Sequence, residues 1–108
     1  MKKIYRLQKN WQFEEVINGK KQLINKYLVI YFLPSKEFKI GITVPKKFCN
    51  AVKRNYYKRQ LKAIIHSLNI YEMKYKFVFI LRKEFLNQNY KVKLDTTKKL
   101  FEKIKYGK

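Results

Sequence analysis

The chain has 108 residues and a formal net charge of +20, from 27 lysines and arginines against 7 acids. With 46% hydrophobic residues it can bury a core, so one folded domain spanning 1–108 is expected and wholesale disorder is excluded. No apolar run approaches the roughly 18–20 residues of a membrane span, no signal region follows the N-terminal charges, and the lone Cys49 excludes an internal disulfide; a cytoplasmic protein with no membrane partner is expected.

The first element is a short helix in "NWQFEEVINGK". Phe13, Val16 and Ile17 recur at helical spacing, Glu14 and Glu15 suit its early turns, and Gly19 is a stop. A short extra strand is expected over 20–24. "KYLVIYFL" (26–33) is rich in β-branched and aromatic residues and ends at Pro34, as a strand would. After the polar connection 35–37, "FKIGITV" (38–44) places Phe38, Ile40, Ile42 and Val44 on one face and stops at Pro45. These two strands read as an antiparallel hairpin.

From about Asn50 to Leu68 the period becomes helical. Tyr57, Leu61, Ile64, Ile65 and Leu68 fall within an arc of roughly 100° and form its core face. "YKFVFILR" (75–82) is a continuous apolar run, expected as a buried strand. Asp95 is expected to cap a last helix whose Leu100, Phe101 and Ile104 turn inward. The coarse order is α-β-β-α-β-α.

A self-contained active site is not expected. The acids are few and scattered, and His66, the only histidine, has no carboxylate to orient it. Cys49 lies beside a basic helix start but has no histidine near it in sequence and reads as a turn or packing residue. Gly19, Gly41 and Gly107 stand alone, so there is no phosphate loop and no small-molecule substrate is expected.

The charge points elsewhere. No acid lies between Phe38 and Tyr71, whereas Lys46, Lys47, Lys53, Arg54, Lys58, Arg59 and Lys62 crowd into one segment. On the helix, Arg54, Lys58 and Lys62 repeat at i, i+4, i+8 with Asn55 and Arg59 beside them, a cationic comb covering about 140° next to the apolar arc. Only four arginines occur, Arg6, Arg54, Arg59 and Arg82, and two of them lie in this comb. Guanidinium forks suit phosphate oxygens and Asn suits a sugar or base edge; Lys46, Lys47 and the helix N-terminus add positive potential at one end, and Asn50 and Lys53 are expected RNA contacts there as well. A nucleic acid is the expected partner.

"GITVPKKFCNAVKRNYYKR" resembles the signature of the bacterial ribonuclease P protein subunit, Gly-Ile-Ser-Val-x-Lys-Lys followed by Asn/Lys-Ala-Val-x-Arg-Asn-x-x-Lys-Arg. "RLQKNWQFEEVI", "YLVIYFLP" and "FVFILRK" resemble the flanking segments of that family, so the likeness spans nearly the whole chain. It departs at Lys62-Ala63, where the family has Arg-Glu or Arg-Gln, and at Lys76, where the family has an acid. The resemblance implies a small α+β fold, a two-layer α/β sandwich of the ribosomal-protein and translation-factor-domain kind, order α-β-β-(β)-α-β-α with a left-handed β-α-β crossover. It implies a subunit of an endoribonuclease that removes the 5′ leader from precursor tRNA. Catalysis then belongs to an RNA subunit, Mg²⁺ is needed by the ribonucleoprotein, and the protein alone is inactive with no cofactor of its own. The partners are the catalytic RNA, held by the basic helix, and the precursor tRNA. Phe13, Ile17 and Tyr31 match positions that line a groove for the leader. The alternative is a basic ribosomal or DNA-binding protein without a processing role.

Overall fold

The computed structural model of the chain describes residues 5–19 and 21–104. In chain order the elements are α1 (Asn10–Asn18), β1 (Gln22–Ile24), β2 (Leu28–Pro34), β3 (Lys39–Thr43), a 3-10 turn (Lys46–Phe48), α2 (Ala51–Leu68), β4 (Tyr75–Leu81), α3 (Lys83–Leu86) and α4 (Tyr90–Glu102). The extra strand is β1, and Lys20, at the edge of its expected range, lies outside the described residues.

The four strands form one mixed sheet in the order β1-β2-β4-β3. β2 runs antiparallel to β4, and β3 runs parallel to it through α2. The expected β2–β3 hairpin is therefore wrong: β4 lies between them. The reason is burial. Phe77, Val78, Phe79 and Leu81 are all at most 1% exposed. A strand apolar on both faces belongs at the centre of a sheet, where it has neighbours on both edges and cover on both sides. The connection after β2 crosses the start of β4, and the Ser35 N–H donates to the Lys74 carbonyl at 2.9 Å.

Alternation sorts the strands into two packed faces. Leu28 and Ile30 of β2, Ile40 of β3 and Phe77, Phe79 and Leu81 of β4 join Leu61, Ile64 and Ile65 of α2 and Leu100, Phe101 and Ile104 near the chain's end. This is the main sandwich. On the other face Val16 of α1 packs with Leu7 and Val78, edged by Phe13, Ile17, Tyr31, Leu33 and Ile80.

α2 begins and ends as the chemistry of its termini demands. The Asn50 side chain accepts from the Lys53 N–H at 3.0 Å, and Asn69 takes the left-handed conformation at the C-terminus, φ 52°. α4 departs from expectation. Its cap is Asn89, whose side chain accepts from the Val92 N–H at 2.9 Å, and Asp95 is exposed in mid-helix. The inward face of its first half is polar, which hid the helical period. Lys93, Thr96 and Thr97 are buried there. Each has a partner: Lys93 donates to Gln60 Oε1 at 2.6 Å, Thr96 accepts from Asn25 Nδ2 at 2.8 Å, and Thr97 donates to the Lys93 carbonyl at 2.8 Å. Buried polar groups persist when they are paired.

Gly41 sets how closely α1 approaches the sheet. A Cβ there would clash with the Phe13 ring, so the ring occupies space that a side chain at position 41 would fill. Gly41→Ala should displace Phe13 and destabilise the domain by about 1–3 kcal/mol, the usual range for overpacking. Adding Phe13→Ala should make the pair less than additive in denaturant melts, because the clash is gone. Strict additivity would show that Phe13 does not rest on β3.

Candidate nucleic-acid interface

Within the basic segment the structure separates what composition had grouped. Arg54, Lys58 and Lys62 lie along one flank of α2, and Asn55 and Arg59 turn outward, both exposed. This is the comb. Arg6 joins it from outside the segment. Its backbone bridges Ile40 at the free edge of β3, and its charge acts on Lys62 together with that of Lys58. Burial first, then Arg6 and Lys58, hold the Lys62 ammonium below the ordinary lysine range. Arg6 Nε is buried and has no hydrogen-bond partner. Nothing in the spacing of Arg6 brings it to α2; its one signal in the sequence is the scarcity of arginine.

The remaining expected contacts lie at the start of α2. Lys46 and Lys47 are exposed on the 3-10 turn, and Asn50 spends its side-chain oxygen on the cap. Lys53 is not part of the comb. It lies on the opposite flank of α2, beside Tyr57 and Lys83. His66 is exposed near the far end of the helix, 2.9 Å from the Tyr71 hydroxyl through Nδ1. β3 and the 3-10 turn precede α2, so the paired helices of a helix-turn-helix reader are not formed here.

A second surface occupies the other face of the sheet. Phe13, Ile17 and Tyr31 come together there, each half-buried around Val16 and Val78. α1 covers only part of this face. Glu15 pairs with Lys76 of β4 at 3.1 Å, which gives the departure at Lys76 a local role in holding α1 down. The next row along the register is Ile24, Val29, Ile80 and Thr43, and it lies open, with Ile24 55% exposed. The result is a trough with an aromatic and aliphatic floor and α1 as one wall. Arg82 closes one end, its guanidinium donating to the Asn25 carbonyl at 3.0 Å. The open row was missed in the sequence because β2 and β3 were paired with each other, which hid β4's part in the floor.

Among the described residues no group of three His, Cys, Asp or Glu side chains comes together as a metal site requires. No helix among them is long and apolar enough to cross a membrane. The surfaces offer cations for phosphates on one side and flat apolar area for bases on the other.

A family model described as Ribonuclease P matches residues 1–105. The chain is 50% identical over 105 residues to the ribonuclease P protein component of Mycoplasmopsis synoviae (strain 53), covering 97% of this chain and 94% of that protein. It is 45% identical over 108 residues to the same component of Mycoplasma mobile, covering 100% of this chain and 96% of that protein. Among solved structures, the RNase P protein of Staphylococcus aureus superposes with a TM-score of 0.82 at 23% identity, covering 91% of this chain and 93% of that one.

The Arg6–Lys58–Lys62 cluster has a measurable consequence. Arg6→Gln should raise the Lys62 pKa part of the way towards the ordinary 10.5, with the burial contribution remaining. Proton uptake follows when a polyanion binds: a nearby phosphate restores the ammonium, so affinity should fall as pH rises through the window between the lowered value and 10.5. Side-chain NMR titration of the lysines checks this. If Lys62 titrates with the exposed lysines and ignores Arg6→Gln, the three charges do not form a cluster.

Proposed function

The chain belongs to the ribonuclease P protein family, and we propose from that premise how its two surfaces divide the work of 5′-leader removal. As a protein component of ribonuclease P it serves tRNA processing. In the proposed division, an RNA subunit carries out the cleavage and holds the Mg²⁺ it needs, while this chain supplies binding. The observation that carries this reading is the unbalanced comb: Arg54, Lys58, Arg59 and Lys62 gather along α2 in a stretch of sequence that contains no acid, and Arg6 joins them from the edge of β3. Such a field is self-repulsive until phosphates enter it.

The comb is assigned to the catalytic RNA. Arg54 and Arg59 each offer a planar fork to phosphate oxygens, and Asn55 lies between them for a sugar or base edge. The 5′ leader of precursor tRNA is assigned to the trough on the other face. A single strand is held by stacking its bases on apolar floors while cations follow its backbone. Tyr31, Phe13 and Ile17 supply the wall and floor beside the open row, and Arg82 lies at the end for a phosphate.

Three outcomes test the reading. Protein freed of RNA should cleave nothing, and added to its matching catalytic RNA it should raise precursor-tRNA cleavage at low Mg²⁺; processing by the protein alone would overturn the assignment of catalysis. Arg54→Ala and Arg59→Ala should each weaken assembly with the catalytic RNA by about 1–3 kcal/mol and flatten its salt dependence. Tyr31→Ala should spare assembly and lower affinity for precursor tRNA by about 1–3 kcal/mol per lost stacked base, leaving mature tRNA unaffected. Thermal melts control for folding, since Tyr31 also packs beside α1. A folded Tyr31→Ala protein that binds precursor and mature tRNA in the wild-type ratio would show that the leader lies elsewhere.

A further inference from the structure

The flank of α2 that faces away from Arg6 holds a hollow that neither assigned surface uses. It lies between the 3-10 turn, the first turns of α2 and α3, and encloses about 330 Å³. Phe48, Tyr57 and Leu86 supply its apolar and aromatic walls. Lys53 reaches it from α2 and Lys83 from α3, and the Asn87 amide lies beside them. Behind Tyr57 sits the Lys93 ammonium, 3% exposed, 4.9 Å from the ring centroid and bonded to Gln60. No acid lines the hollow, and Glu84 of α3 is exposed outside it.

We propose that this hollow receives one unpaired nucleotide of the RNA bound along α2, with its base against Tyr57, Phe48 and Leu86 and its phosphate between Lys53 and Lys83. The proposal rests on the reading of α2 as the helix that binds the catalytic RNA. Each part of the hollow matches one part of a nucleotide. A planar ring suits aromatic and aliphatic walls, an amide can read a base edge, and two ammonium groups without a neighbouring carboxylate suit a phosphodiester. A duplex is too wide to enter, so the nucleotide must be unstacked. Lys53, which the helical period removes from the comb, acquires a role here. α2 then grips RNA on two flanks, phosphates along the comb and a single extruded base on the other side.

Cys49 lines the same hollow and is the only cysteine of the chain, so it reports occupancy. The full-length protein is alkylated with iodoacetamide, free and with saturating catalytic RNA. RNA should slow the reaction by roughly tenfold or more, as expected for a site that opens only rarely. Catalytic RNA carrying 4-thiouridine, irradiated in the complex, should cross-link to Tyr57 or Phe48, located by mass spectrometry of the digested protein. Lys83→Ala combined with Asn87→Ala should lower RNA affinity several-fold and abolish that cross-link. Arg59→Ala should lower affinity but keep the cross-link once the complex is saturated. A saturated complex in which Cys49 reacts as in free protein overturns the proposal and leaves the function above standing. Protection of Cys49 with cross-links only outside the hollow also overturns it, since shielding alone gives that pattern. If no saturable complex forms at all, the reading of α2 fails and the proposal fails with it.

Discussion

The burial of β4 on both faces is the constraint on which everything else in this molecule depends. Phe77, Phe79 and Leu81 point to α2 and α4, and Val78 and Ile80 point to the side of α1. Burying the four enclosed ones, Phe77, Val78, Phe79 and Leu81, yields of order 1.5–3 kcal/mol each, relative to leaving them exposed. That sum is comparable with the entire net stability of a domain this size. It also fixes geography. Because β4 must be central, β3 is carried to a free edge, α2 must cross over the sheet to connect them, and Arg6 can pair with β3 at that edge beside the comb. Because β4's other face also needs cover, α1 lies across it, and a helix of nine residues is too short to close that face. The open row of the trough is what remains.

Electrostatics works against the same fold. Among the described residues the ion pairs are Lys39 with Glu37 at 3.6 Å and Lys76 with Glu15 at 3.1 Å, both partly exposed and each worth little in water. Neither touches α2. The comb is left with no acid against it: burial first, and then the charges of Arg6 and Lys58, hold the Lys62 ammonium below its ordinary range. A protein selected for stability alone would place an acid there. The same arrangement makes sense if a polyanion supplies the missing charge, for the energy of relieving the repulsion then adds to binding. Lys93 is a different case. It too is depressed by burial, but it is bonded to Gln60 and capped by the rings of Tyr57 and Phe85, so it belongs to the α2–α4 joint.

Much of this was legible in the sequence, for reasons that are local. α2 declared itself through the spacing of Leu61, Ile64 and Ile65 and through Asn50 as its cap. β4 declared itself as an unbroken apolar run. What could not be read was partnership at a distance. Alternation shows which residues share a face but carries no information on strand order, so β2 and β3 looked like neighbours. The polar inner face of α4 satisfies itself through Gln60 and Asn25, residues 33 and 71 positions away, partners that no local pattern reveals. Arg6 is a related case: nothing in its spacing places it beside α2, and only the pairing of its backbone with Ile40 at the edge of β3 brings its charge to the comb.

The two RNA-facing surfaces proposed here share one rigid part. Lys39, Gly41 and Thr43 of β3 face the trough side, while Ile40 and Ile42 face the core under α2, and Arg6 pairs with the strand in between. Strand hydrogen bonds on both sides of β4 leave little freedom for one face of the sheet to move without the other. The separation between comb and trough is thus set by one sheet and the layers packed on it, within a molecule whose longest extent is 33 Å. In the proposed division, where the RNA subunit carries out the cleavage, this fixed spacing is the protein's physical contribution. In that division the comb would take the phosphates of one RNA and the trough the bases of another strand, at a separation set by the sheet. A Cβ at Gly41 would run into the Phe13 ring, so the approach of α1 to β3 depends on the absence of a single side chain on the strand that also pairs with Arg6.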